Sequence, residues 1–452
     1  MIPARSQEKC YCRNKRYLVS KASFLRRIKN AGRYLLVILP VLVFTLSACR
    51  SDRQNVQVIE FWAMGVEAQQ LGQLATEFEQ ENPGLHVRIQ AIPWSAAHEK
   101  LLTAYAGNST PDLCQLGNTW IPEFVILNAL EPLNSYLENS EVIDAADYFS
   151  GIWATNEISE SLYGIPWYVD TRLLFYRRDV FAGFGYATAP KTWSELFDLA
   201  LKIQKAKKTE YAFYLPLNGW HEVVAMAMQS GSTLLRNNDS YGDFSTPEFQ
   251  NALRFFLKLY ENRLCPLGMN TISNLYQSFA DNYFSIYISG PWNLGEFQKR
   301  LPESMQAKWA VTPMPSFHGE YPGVSTAGGS SIVMFKNSTQ KAAAWKLIEF
   351  LSRPEIQARF YELSGDLPAN CSAWDRAKLH ENEKTEAFFQ QLQRVQPTPR
   401  IPEWEQIALK IQQHVEIMAY GKMNPEEVGT RLNSEVDRLL EKRRWLLEKE
   451  QK

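Results

Sequence analysis

Hydrophobic and polar positions divide the chain into two kinds of material, with a change at about residue 56. Val56 to Trp62 is an apolar run of strand length, and Gln69 to Asn82 spaces its apolar residues at helical intervals until Pro83-Gly84 stops it. Leu85 to Ile92 then alternates apolar with polar, and Ala96 to Ala106 returns to helical spacing. Strand, helix, strand, helix predicts a parallel sheet with crossover helices. Leu173 to Tyr176 reads as a further buried strand, with Gly164 and Pro166 marking a bend where the chain enters it. Helical patterns follow over Ser194 to Ala206, His221 to Ser230, Pro247 to Asn262 and Ser273 to Asp281. Tyr283 to Ile288 reads as a strand. The chain then becomes mostly helical, over Lys341 to Leu351, Pro354 to Glu362, Ile407 to Met418 and Pro425 to Leu447. There is no internal repeat and no low-complexity tract.

Length adds that 452 residues with 45% hydrophobic content can fill two sizeable cores. The first 48 residues do not belong to either. They hold ten Lys or Arg against one acid, Glu8, then an uncharged apolar run that closes on Leu46-Ser47-Ala48-Cys49. A basic region, a short apolar core and a small-residue cleavage site predict a secretory leader. The basic stretch is long for such a leader, which places the expected start downstream of Met1. Setting the leader aside leaves 38 basic against 48 acidic residues, a balance that argues against nucleic acid as a partner. Of six cysteines, Cys114, Cys265 and Cys371 remain beyond Cys49, odd in number and without close spacing. They predict neither a zinc site nor a disulfide framework, and one pair at most.

Several motifs then fall into a recognisable order. They are Ile59-Glu60-Phe61-Trp62, Glu81-Asn82-Pro83-Gly84, Gly107 to Asp112, Gly164 to Thr171 (Gly-Ile-Pro-Trp-Tyr-Val-Asp-Thr), Pro190 to Leu196 and Gly290-Pro291-Trp292. Together they resemble the family 1 extracellular solute-binding proteins, the sugar receptors of ABC importers related to maltose-binding and trehalose/maltose-binding proteins. The strand before Gly-Pro-Trp, Phe284 to Ile288, departs from the Ala-Ala-Met-Gly usual there. The resemblance runs from about residue 56 to 440. It implies an α/β, periplasmic-binding-protein-like fold of two α/β lobes joined by a multi-crossing hinge. On that pattern residues 1–48 are a lipoprotein signal peptide with Cys49 lipidated, and 49–55 a linker. Residues 56–167 and 316–367 make the first lobe, and 168–315 and 368–452 the second.

The resemblance further implies a substrate-binding lipoprotein on the periplasmic or extracytoplasmic face, held to the membrane by its lipid alone. It would work as a monomer with ABC permease subunits and a cytoplasmic ATPase, without cofactor or metal and without catalysis. A neutral disaccharide or glycoside (maltose, trehalose, sucrose or a glycosylglycerol) is the expected cargo; glycerol 3-phosphate or a related phosphodiester is the alternative. Sugars present hydroxyl rims and weakly apolar ring faces, so a site needs aromatic planes and hydrogen-bonding partners. Trp220 and Trp292 are the leading stacking candidates, followed by Tyr168, Trp167 and Trp404, each of which could equally be core. Glu67, Asn118, Thr119, Asp170, Gly329, Ser330 and Arg400 are the polar candidates, ordinary exposure being as good an account of Glu67 and Arg400. Asp112 reads as a structural turn residue. Paired carboxylates and aromatics also suit a carbohydrate-active hydrolase, although the chain has no Gly-x-Ser-x-Gly, His-Glu-x-x-His or glycine-rich phosphate loop.

Overall fold

The computed structural model describes residues 56–268 and 272–450. The leader, Cys49 and the linker to Asn55 lie outside the described residues.

Two sheets organise the rest. The first contains β1 (Gln57–Met64), β2 (Leu85–Ile92), β3 (Leu113–Gly117), β4 (Gly164–Asp170) and β10 (Gly328–Met334), in the order β2-β1-β3-β10-β4. Strand β1 runs parallel to both neighbours, whereas β10 is antiparallel to β3 and β4. The second sheet has the order β8-β5-β7-β6, from β5 (Leu173–Arg177), β6 (Phe213–Tyr214), β7 (Ile286–Ser289) and β8 (Trp309–Thr312). A small parallel pair, β9 (Ser325–Thr326) with β11 (Val395–Gln396), lies beside the crossings between them. Among the described residues no helix is long and apolar enough to cross a membrane.

Helices cover both faces of each sheet, and the alternation of side chains shows it. In β5, Leu173 and Phe175 join one apolar cluster while Leu174 and Tyr176 join another. Glu67–Glu81 turns Leu71, Leu74, Ala75 and Phe78 inward, one apolar stripe over about two turns. One core runs through both lobes: Phe149 meets Phe389 edge-on at 5.3 Å, and Phe388 on the same helix meets Phe175 of the second sheet at 6.3 Å.

The bend expected at Gly164 and Pro166 is instead a strand, β4, at the edge of the first sheet. An edge tolerates proline because one side of the strand has no ladder to donate to. The crossings also fall later than the sequence places them. Tyr168 to Asp170 still belong to the first sheet, so the chain passes over at Thr171-Arg172. Ser316 bridges Thr192 and Gln229 donates to the Val324 carbonyl, which keeps the second lobe going until β9. Pro368 bridges Tyr168 and Trp374 packs on Phe149, so the first lobe extends through Cys371–Arg376. Motif order along a chain does not reveal which sheet a segment pairs with. Pro425 to Leu447, expected as one helix, breaks at Leu440 into Pro425–Leu439 and Glu441–Glu450.

Candidate functional site

A cavity of about 560 Å³ lies between the lobes, with walls from both. The first lobe contributes the ends of β3 and β4, the start of β10 and the start of helix Glu67–Glu81; the second contributes the starts of three helices, His221–Gln229, Trp292–Arg300 and Trp404–Ala419. Of the eleven site residues predicted from sequence, nine line it: Glu67, Asn118, Thr119, Tyr168, Asp170, Trp220, Trp292, Gly329 and Ser330.

The first wall is a hydrogen-bonded frame. Gln115 receives the Met64 backbone N–H on its Oε1 (2.7 Å) and donates from Nε2 to the Tyr168 hydroxyl (2.9 Å). Tyr168 in turn donates to Glu67 Oε1 (3.0 Å), so each group has one orientation and Glu67 is held as an acceptor. Glu67 is buried in the first turn of its helix, where the N-terminal dipole favours a carboxylate. Ser330, fully buried, receives a 3.5 Å contact from Gln115. Asn118 donates to Thr155 Oγ1 (2.8 Å) and accepts from Ser331 Oγ (3.0 Å), which fixes its amide with one N–H and one lone pair to spare. Gly329 has φ +125°, and a Cβ there would lie 2.2 Å from the Tyr168 carbonyl. Only glycine lets β10 approach β4 so closely at the cavity edge.

Between the walls, both Asp170 oxygens accept from Arg172 Nη1 (2.7 and 2.9 Å). Burial pushes the Asp170 carboxyl up from its ordinary range and the guanidinium partly offsets this. The same guanidinium sits 4.8 Å from the centre of the Trp292 indole, a cation–π contact beneath the ring.

The second wall is aromatic. Trp292 is 46% exposed, resting on Arg172. A Cβ on Gly290 would fall 1.9 Å from that indole, so the ring can lie back over the chain only because position 290 has no side chain. Trp220 stacks on His221 (3.8 Å, 14° between planes) and meets Trp404 edge-on at 5.4 Å. Burial, with Arg172 second, holds His221 well below its ordinary range, which keeps the imidazole neutral.

Two predicted contacts lie outside this cavity. Trp404 is 0% exposed, its ring in the core of the second lobe with Ile407 and Ile411. Arg400 donates from Nη1 to the backbone carbonyls of Ala154 (2.9 Å) and Glu157 (2.8 Å), tying the segment before Trp404–Ala419 to the first lobe. Trp167 is also core: it is 1% exposed and stacks on Phe360 at 4.4 Å. Asp112 accepts the Glu60 backbone N–H, a structural role. Cys114, Cys265 and Cys371 are free thiols.

Trp94, Trp120, Asp366 and Glu405 line the cavity and escaped the sequence reading. Trp94, 38% exposed, meets Trp120 edge-on at 5.8 Å, which gives the first lobe its own aromatic corner. Glu405 faces Thr119 across the lobes and accepts from its hydroxyl; burial pushes that carboxyl up and the Thr119 bond opposes the rise. Burial, with Glu67 beside it, pushes Asp366 up to about 7. Adjacency was the available signal: Trp120 follows Asn118-Thr119, and Glu405 follows Trp404.

Residues 65–358 match the family model for bacterial extracellular solute-binding protein. The solved sugar-binding protein MalE from Xanthomonas citri is 44% identical, covering 87% of this chain and 99% of its own, with a TM-score of 0.83. An ABC transporter solute-binding protein from Thermotoga lettingae, solved with α-D-tagatose, is 27% identical, covering 85% of this chain and all of its own, with a TM-score of 0.73. The maltodextrin-binding protein MdxE of Bacillus subtilis is 23% identical over 398 residues, 81% of this chain and 87% of its own.

Proposed function

The chain belongs to the bacterial extracellular solute-binding proteins, and from that premise we propose that it is the substrate-binding lipoprotein of an ABC sugar importer. It captures a neutral disaccharide or glycoside of the maltose, trehalose, sucrose or glycosylglycerol class between two closing lobes. It delivers this cargo to the permease unchanged. The observation that carries the reading is the pairing of walls: indoles on both sides of one cavity, with a rim of carboxylate, amide and hydroxyl groups between them. Ring faces pack on Trp220, Trp292 and Trp94, while Glu67, Asp170 and Asn118 replace the water lost by sugar hydroxyls. Because the ligand touches both walls only when the lobes approach, it shifts the population toward the closed arrangement. Lipidation at Cys49 and docking of the lobe tips on permease subunits complete the proposal.

Charge separates this reading from glycerol 3-phosphate. Glu67, Asp170, Asp366 and Glu405 line the cavity without a lysine or arginine among the lining residues, and the neighbouring Arg172 is committed to Asp170. A phosphate would meet four carboxylates there and no free cation. Thermal unfolding of the purified chain against maltose, trehalose, sucrose, glucosylglycerol and glycerol 3-phosphate tests the reading. A ligand at a hundred times its Kd stabilises the fold by about 2.7 kcal/mol, an easily measured shift. A shift with one neutral glycoside, recovered intact, supports sugar capture; a shift with glycerol 3-phosphate alone replaces the cargo, and loss of the glycoside to products makes the protein an enzyme.

A further inference from the structure

Asp366 stands apart from the other carboxylates at the cavity. Glu67 has the Tyr168 hydroxyl, Asp170 has Arg172 and Glu405 has Thr119. Asp366 lines the same cavity, yet its Oδ2 is cut off from solvent with no hydrogen-bond partner. A buried polar atom left in this state is costly, and native proteins seldom keep one without a use for it.

The main chain around Asp366 prevents relief. Its own N–H donates to Ser364 Oγ (3.0 Å), the Leu367 carbonyl accepts from Val169 (3.0 Å), and the Ala369 N–H donates to Gln357 Oε1 (2.9 Å). The segment is thus fastened to the edge of β4 and cannot carry the carboxyl out to water. The groups that face the carboxyl are Glu67 from the first helix, the Ser364 hydroxyl, which opposes the rise, and Asp170 and Tyr168 from β4, the last a phenol that burial keeps neutral; none of them meets Oδ2. Among the described residues no cation pairs with it, since the nearby Arg172 is occupied by Asp170.

We propose that Asp366 is a ligand-contacting, specificity-determining residue: its Oδ2 takes a hydroxyl of the bound saccharide at the Glu67 end of the cavity, and the protein leaves that oxygen unsatisfied until such a ligand arrives. The inference rests on the sugar-capture reading above and adds to it the group that selects for a hydroxyl donor. A carboxyl that titrates near neutrality can both donate to and accept from a hydroxyl, which a phosphate oxygen cannot reciprocate. The chain therefore carries stored instability at this position, as binding sites commonly do.

Two variants of the full chain, each with its own readout, test this. Asp366→Ala should weaken binding of whichever of maltose, trehalose, sucrose or glucosylglycerol the wild type takes, by about tenfold or more in calorimetric titration. Asp366→Asn, isosteric and uncharged, should raise the melting temperature measured without any sugar, and the gain should depend on pH. In the folded chain the Asp366 carboxyl sits above its unfolded value of about 3.9, so wild-type stability falls as pH rises from about 4 through 7. The advantage of the asparagine variant should grow across that window and level off above it. A lower melting temperature for Asp366→Asn throughout the window would mean an ordinary structural residue and overturn the proposal. So would unchanged affinity of Asp366→Ala for a sugar that the wild type binds. If the wild type binds none of the four sugars, the sugar reading itself fails, and the melting comparison alone decides whether Asp366 is held in an unsatisfied state.

Discussion

The two walls of the cavity are built on opposite plans. On the first lobe, side chains are locked by one another: Gln115, Tyr168 and Glu67 form a directed chain of bonds, and Asn118 is pinned between Thr155 and Ser331. On the second lobe the cavity face is mainly ring surface beside the Glu405 carboxylate, with Trp292 nearly half exposed and resting on a single guanidinium. The first wall can tell one arrangement of hydroxyls from another, because its donors and acceptors are already placed. The second supplies apolar contact with little directional demand. Most of the placed donors and acceptors thus stand on the first lobe and the largest exposed ring on the second, with the Trp94–Trp120 corner and Glu405 as the exception on each side.

Breaking the joint between the walls should have the largest effect. Arg172→Ala removes the partner of Asp170 and the support of Trp292 together; for a pair this buried the expected loss is about 3 kcal/mol of stability. Chemical denaturation reads it directly, and an unchanged midpoint would show that the pair contributes nothing. Trp292→Ala should separate the walls more cleanly. The ring is exposed, so stability should hardly change, while sugar affinity should fall by about 2 kcal/mol, some thirtyfold. Equal losses in both would make Trp292 a core residue. Tyr168→Phe leaves Glu67 and Gln115 each short of a partner, and about 1 kcal/mol should be lost from stability and affinity alike. Arg400→Ala should have the smallest effect on binding, within about twofold by titration, because its bonds go to backbone carbonyls of the first lobe. A large affinity loss there would return Arg400 to the site.

The same contrast explains what the sequence revealed. Strands such as Gln57–Met64 and helices such as Glu67–Glu81 announce themselves by period, and nine predicted site residues come together because they sit at the ends of those elements. Trp404 and Glu405 show where the information ends. They are neighbours at the start of one helix, where successive side chains point about 100° apart. The phase of that helix turns the indole into the core and the carboxylate toward the cavity, a distinction that residue type alone does not carry. Asp366 gives no signal at all: an isolated acid two residues before Pro368 becomes meaningful only when Glu67, from the far end of the described chain, is folded beside it. Pro166 misled for the opposite reason, since a proline that suggests a bend is compatible with an edge strand.

The placement of the indoles has an optical consequence. All thirteen tryptophans lie beyond the leader, and five of them, Trp167, Trp193, Trp309, Trp374 and Trp404, are fully buried. Those five emit from apolar surroundings and form a fixed background. Trp292 and Trp94, the two most exposed at the cavity, emit toward longer wavelength and lose their water when a ligand covers them. Capture of a sugar should therefore appear as a blue shift of the intrinsic emission, so the protein reports its own occupancy without a label, and Trp292→Phe should remove most of the signal.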